Sequence, residues 1–124
     1  MTPNISVSHI TLYSTDTDRT AQFYNKLGLN LQKSGGWGGG YHYLDILRTG
    51  DQRVFFKIYS KKIGSEVMDS LGFEVDNVAE TLARLIELGV TVLRPGNPRV
   101  HKHATVAAVK DPDGRVIGLY QKNR

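Results

Sequence analysis

The residues of this chain with chemistry to offer are four histidines, one lysine set between aromatic rings, and a few carboxylates. His9 sits in the run Val7-Ser8-His9-Ile10-Thr11-Leu12-Tyr13. As a strand this would send Ile10 and Leu12 to a core and His9, Thr11 and Tyr13 to the opposite face. Lys57 sits in Val54-Phe55-Phe56-Lys57-Ile58-Tyr59. The same alternation groups it with Phe55 and Tyr59, opposite Val54, Phe56 and Ile58. A lysine on the ligand-facing side can bind a carboxylate or phosphate, or act as a base where burial lowers its pKa. Its other use is an ion pair with Asp45 or Glu74, or a covered stem with the ammonium in water. His9 could serve as a base, a metal ligand or a hydrogen-bonding wall residue. His101-Lys102-His103 places two imidazoles on one side of a strand; without further donors they read as surface histidines. The chain has no cysteine, which excludes disulfides, zinc–thiolate sites and thiol nucleophiles.

A second chemical feature is Ser34-Gly35-Gly36-Trp37-Gly38-Gly39-Gly40. It is not a phosphate loop, because no Gly-Lys-Ser/Thr occurs and no helix pattern follows. It places one large ring in a glycine-rich loop, where Trp37 would cover a planar ligand or plug an interface between copies. Tyr13, Tyr41, Tyr43, Phe55, Tyr59 and Tyr120 extend the aromatic lining.

These residues need elements to position them. The 124 residues, 40% of them hydrophobic, suit one globular domain with a core. No apolar run approaches the roughly 20 residues of a membrane span, and no secretory leader is recognisable. The net charge of +4 favours anionic or neutral partners. No nucleic-acid-binding motif accompanies it. An internal repeat organises the rest. At a fixed offset of 61 residues, Leu27-Gly28-Leu29-Asn30-Leu31 falls on Leu88-Gly89-Val90-Thr91-Val92, Phe56-Lys57-Ile58-Tyr59 on Ile117-Gly118-Leu119-Tyr120, and His42 on His103.

Each copy reads strand, helix, three strands. Asp16-Thr17-Asp18 offers a helix N-cap, Thr20, Tyr24 and Leu27 share a helical face, and Gly28 suits the left-handed position that ends it. In the second copy Val78, Leu82, Leu85 and Ile86 form the stripe and Gly89 ends the helix. Further strands are expected near 29–34, 41–48 and 53–60, and near 90–94, 103–110 and 115–121. In the third strand Leu44 and Ile46 read as core-facing, leaving Tyr41, Tyr43 and Asp45 on the ligand side. Thr49-Gly50-Asp51 and Asp111-Pro112-Asp113-Gly114 carry hairpin residues.

Three pieces of sequence resemble the vicinal oxygen chelate superfamily, the glyoxalase, bleomycin-resistance and ring-cleaving dioxygenase group. They are Val7-Ser8-His9-Ile10-Thr11-Leu12, Ala21-Gln22-Phe23-Tyr24-Asn25-Lys26-Leu27-Gly28-Leu29, and Asp111-Pro112-Asp113-Gly114-Arg115-Val116-Ile117-Gly118-Leu119-Tyr120. The resemblance implies an α+β fold. Paired βαβββ modules, about 5–60 and 66–121, would form a cupped eight-stranded mixed sheet with helices on its outer face. A ferredoxin-like or other α+β fold is the alternative. By resemblance, the family's metal positions fall on His9, Lys57, Ser70 and Gly118. Only the histidine is an ordinary ligand, and the family's glutamate is replaced by Gly118. A site rebuilt from His9 with Asp45 or Glu74 is the remaining route to a metal.

The expected function is small-molecule binding of the bleomycin-resistance type, sequestering a planar or anionic organic ligand with no catalytic metal and no cofactor. The expected ligand-binding residues are His9, Thr11, Tyr13, Trp37, Tyr43, Asp45, Phe55, Lys57, Tyr59, Ser70, Glu74 and Tyr120. The rival is a metal-dependent lyase, isomerase or dioxygenase using His9. A cytoplasmic homodimer is expected, with neither nucleic acid nor membrane as partner.

Overall fold

The computed structural model describes residues 5–35, 41–93 and 98–123. Two βαβββ units follow one another, each alternating strand and helix as the sequence implies. The first runs β1 (Ile5–Ser14), α1 (Thr17–Leu27), β2 (Gln32–Gly35), β3 (Tyr41–Thr49), β4 (Gln52–Ser60). The second runs β5 (Ser70–Val75), α2 (Val78–Glu87), β6 (Arg99–Val100), β7 (Ala104–Lys110), β8 (Val116–Lys122). By contacts the chain divides into two compact bodies: an N-terminal unit, His9–Asp69, and a C-terminal unit, Ser70–Arg124, which also takes Met1–Ser8.

Both units mix parallel and antiparallel pairing in the same way. In the N-terminal unit the strand order is β2-β3-β4-β1, with β4 parallel to β1 and the rest antiparallel. In the C-terminal unit it is β6-β7-β8-β5, with β8 parallel to β5. The repeat is exact across the parallel pairs. His9 pairs with Phe55 as Leu71 pairs with Ile117, the same sequence separation in both units.

Helix ends are set by local chemistry. The Asp16 carboxylate accepts from Arg19 N at 3.1 Å, and Asn77 Oδ1 accepts from Glu80 N at 2.9 Å. At the other end Gly28 (φ 129°) and Gly89 (φ 83°) take conformations closed to side chains, and Leu29 N and Val90 N donate back to Tyr24 O and Leu85 O.

Each helix covers one face of its own unit. Ala21, Leu31, Phe56 and Ile58 form the N-terminal core, joined by Ile10, Leu12, Tyr24, Tyr43 and Leu47. Val75, Val78, Leu82, Val109 and Leu119 form the C-terminal core, joined by Leu85, Val90, Ala107 and Ile117. Two helical expectations shift: Leu27 and Ile86 are exposed, so the buried stripes rest on Ala21 with Tyr24 and on Val78 with Leu82. The strand expected near 90–94 is reduced to a single bridge, Val92 to Val109; the paired edge strand is Arg99–Val100.

The hairpins break the gapless repeat. β3 and β4 extend to Thr49↔Gln52, closed by the two-residue turn Gly50-Asp51 with φ 61° at Gly50. β7 and β8 stop at Lys110↔Val116, and Asp111 N donates to Arg115 O beyond it. Leu44 pairs with Lys57, whereas Ala108 pairs with Gly118. Lys57 and Gly118 hold the same place in their units, so Leu44 corresponds to Ala108, three residues further on than the fixed offset allows. His42 therefore corresponds to Val106 and not to His103.

Candidate functional site

The face of the N-terminal unit that α1 leaves open is a grid of three strands. Across β3-β4-β1, Leu44 pairs with Lys57 and Lys57 with Thr11. Toward the hairpin the next row is Ile46, Phe55 and His9. In the other direction Tyr59 pairs with Tyr13, and His42 joins that row. Rings in neighbouring strands touch, as cross-strand partners on one face should. His9 stacks on Phe55 with centroids 5.1 Å apart and planes inclined by 17°. His42 stacks on Tyr59 at 4.7 Å, and Tyr59 meets Tyr13 at 6.0 Å. Lys57 is thus the one cation in a row lying between two rows of rings.

Electrostatics follows from that arrangement. Burial, and then the Lys57 ammonium nearby, push the His9 imidazole below its ordinary range. His9 is therefore neutral near pH 7. The three strands carry a single carboxylate, Asp45, and it lies on the other face. The ion pairs among the described residues are Lys33–Asp18, Arg115–Asp111 and Lys122–Glu74; none includes Lys57.

The expectation for β3 is reversed. Tyr43 and Asp45 lie on the helix side, in register with Ile58 and Phe56. Tyr43 packs on the N-terminal core, and its hydroxyl donates to the Asp18 carboxylate at 2.5 Å. That bond pushes the phenol to about 12 and holds Asp18 below the usual carboxylate range. Asp45 accepts from Asn30 N at 2.9 Å, tying down the chain after α1. Leu44 and Ile46 read as core-facing because they are apolar, which leaves tyrosine and aspartate for the opposite side. Here each uses its polar end for a local hydrogen bond at the margin of the core. His42, Leu44 and Ile46 lie on the open face instead. Reading Gly50-Asp51 as a two-residue turn fixes the register and finds them.

Three expected residues belong to the C-terminal unit. On its open face Glu74 pairs with Tyr120 in register, and the Glu74 carboxylate meets the Lys122 ammonium at 3.5 Å. Ser70 opens the same strand and is half-buried. Beside them Gly72, Gly118 and Ala108 lie in register, a floor of bare backbone and methyl. A Cβ at Gly118 would meet the Gly72 Cα at 3.7 Å, an ordinary contact, so packing does not demand glycine there. Trp37 lies outside the described residues.

The donors at the family's metal positions do not suit a divalent ion. Lys57 places an ammonium close enough to His9 to oppose its protonation, Gly118 has no donor, and Ser70 offers a hydroxyl. Asp45 is turned away and Glu74 is engaged with Lys122, which removes the rebuilt set. His101 and His103 are exposed, and among the described residues no three histidine or acidic side chains gather as a metal group.

Comparisons with known proteins agree on the fold. A hypothetical protein from Bacillus halodurans C-125 aligns over 98% of this chain and 96% of its own, at 16% identity and TM-score 0.64. Methylmalonyl-CoA epimerase from Mycobacterium tuberculosis aligns over 95% and 88%, at 15% identity and TM-score 0.62. A Streptomyces coelicolor methylmalonyl-CoA epimerase variant in complex with 2-nitronate-propionyl-CoA aligns over 95% and 97%, at 17% identity and TM-score 0.65. Among curated proteins no match was found. The family model covers residues 6–119, and the chain belongs to the Glyoxalase/Bleomycin resistance protein/Dioxygenase superfamily.

Proposed function

We propose that this domain binds a small planar or anionic organic molecule on the open face of its N-terminal unit, through contacts that require no metal. One observation carries the reading: Lys57 stands among rings with no carboxylate partner among the described residues. A half-buried cation without a counter-ion is costly to desolvate, and an anionic ligand offsets that cost. Thr11 supplies a hydroxyl beside the ammonium, neutral His9 supplies a ring nitrogen, and Phe55, Tyr59 and Tyr13 supply apolar area for a flat body. The working form is a cytoplasmic homodimer, to be tested by sedimentation velocity.

Calorimetric titration with a panel of planar carboxylates tests the reading. Binding to the wild type that weakens at least tenfold in Lys57→Met supports it. Silence across the panel, or equal affinity in the variant, overturns it.

A second reading, catalysis by a metal-dependent lyase or isomerase through His9, draws support from the epimerases among the structural neighbours. Near-stoichiometric nickel, zinc, iron or manganese in untagged protein, lost in His9→Ala, would decide for it.

A further inference from the structure

The hairpin of the N-terminal unit reaches past its counterpart and carries two arginines on the ligand side. Arg48 and Arg53 are cross-strand partners. Strand alternation puts Arg53 on the face of Phe55 and Lys57, and Arg48 opposite it falls on the face of Ile46 and Leu44. Like charges set directly opposite in a sheet are destabilising, so the pair is not explained by folding. No counter-ion relieves it: among the described residues neither guanidinium forms an ion pair or a side-chain hydrogen bond, although Asp51 sits in the turn between them. The contrast with the C-terminal hairpin is direct. That hairpin closes three residues sooner, has no counterpart of the arginine pair, and its own Arg115 is held by the Asp111 carboxylate at 2.7 Å.

The open face therefore carries a column of Lys57 and, one ring row further on, two opposed arginines. Four residues of strand separate Lys57 from Arg53, about 13 Å at ordinary strand rise. Between them stands the stacked pair of His9 and Phe55. Two arginines at paired positions on one face match a phosphate, which takes several charge-assisted hydrogen bonds and both charges at once. The geometry points to a phosphate subsite at Arg48 and Arg53. The ligand of this face is then an elongated organic phosphate, its phosphoryl group on the arginine pair, its middle along His9 and Phe55, and a second anionic or polar group on Lys57. This inference rests on the proposed ligand face, since it needs the Lys57 end to be occupied by the same molecule.

The test uses the full chain and calorimetric titration with two probe series, ω-carboxyalkyl phosphates of increasing chain length and the matching alkyl carboxylates. The wild type should bind the phosphates at least tenfold more tightly than the carboxylates, with an optimum at an intermediate length. The double variant Arg48→Gln/Arg53→Gln should lose that tenfold gain and keep its carboxylate affinity within twofold. Its melting temperature should equal or exceed the wild-type value, because the opposed charges are gone; this separates loss of a subsite from loss of the fold. Carboxylate binding with no phosphate gain, or a gain that survives in the double variant, overturns the phosphate subsite alone. Failure of the wild type to bind either series overturns the ligand face as well. Tighter binding of oligothymidylate than of any carboxyalkyl phosphate would replace the small-molecule class with single-stranded nucleic acid.

Discussion

The two units share a plan and differ in what they spend it on. In the N-terminal unit rings occupy both faces: Tyr24, Phe56 and Tyr43 under the helix, His9, Phe55, Tyr59, Tyr13 and His42 on the open side. At the corresponding places the C-terminal unit has Leu85, Ile117 and Ala107 under the helix, and Ser70, Val116, Tyr120, Glu74 and Val106 on the open side, so Tyr120 is the one ring kept there. One consequence is a groove of about 460 Å³ beside α2, lined by Phe73, Leu85, Val109, Ile117 and Leu119 among others, where aliphatic side chains stand in for rings. The other is a contrast of open faces: the first copy carries rings around Lys57, which none of the described ion pairs includes, and the second carries the Glu74–Lys122 pair beside the bare backbone of Gly72 and Gly118.

Core substitutions test the packing side of this contrast most strongly. Phe56→Ala, at a site only 7% exposed, should destabilise by about 3–5 kcal/mol in urea melts. Ile117→Ala should cost about 2 kcal/mol, because its surroundings already border the groove. Equal costs would mean the two helix–sheet contacts are equally well filled. Filling the groove is the reverse experiment. Ile117→Phe should raise stability by about 1 kcal/mol, and a loss of that size would show that the groove cannot accept a ring.

The smallest effect is electrostatic. In Lys57→Met the His9 pKa should rise, but stay below the ordinary 6.5, because burial is the larger cause of its depression. An NMR titration of the imidazole reads this directly; no movement would remove Lys57 from the His9 environment. Because folding depresses this pKa, the unfolded chain takes the proton first. The neutral His9 contribution to stability is complete above 6.5 and falls away as pH drops through the window below it. A variant His9→Asn should flatten that acid limb.

Much of this was legible in the sequence because local chemistry fixed it. Asp16 and Asn77 cap helices, Gly28 and Gly89 end them, and alternation in β1 and β4 assigned His9, Thr11, Tyr13, Phe55, Lys57 and Tyr59 to one face. Strand β3 reads the other way in the sequence because Leu44 and Ile46 are apolar, yet they lie on the open face. Tyr43 and Asp45 are polar residues satisfied at the edge of a core, through Asp18 and Asn30 N. The pairing of Arg48 with Arg53 is not legible in the sequence, because only the register sets the two opposite one another.

The three-residue difference between the hairpins has a wider reach than the turns themselves. Side chains in a strand alternate, so an odd change in hairpin length reverses parity: every residue of β7 aligned without a gap to β3 is assigned to the wrong side of the sheet. For a duplicated gene this is an abrupt route to novelty. One odd-length indel, compensated before the strand, can exchange a strand's entire outward-facing set for its inward-facing one while the hydrogen-bonded scaffold stays in place. Kinship between such halves is better traced through pairing partners than through letters in a row.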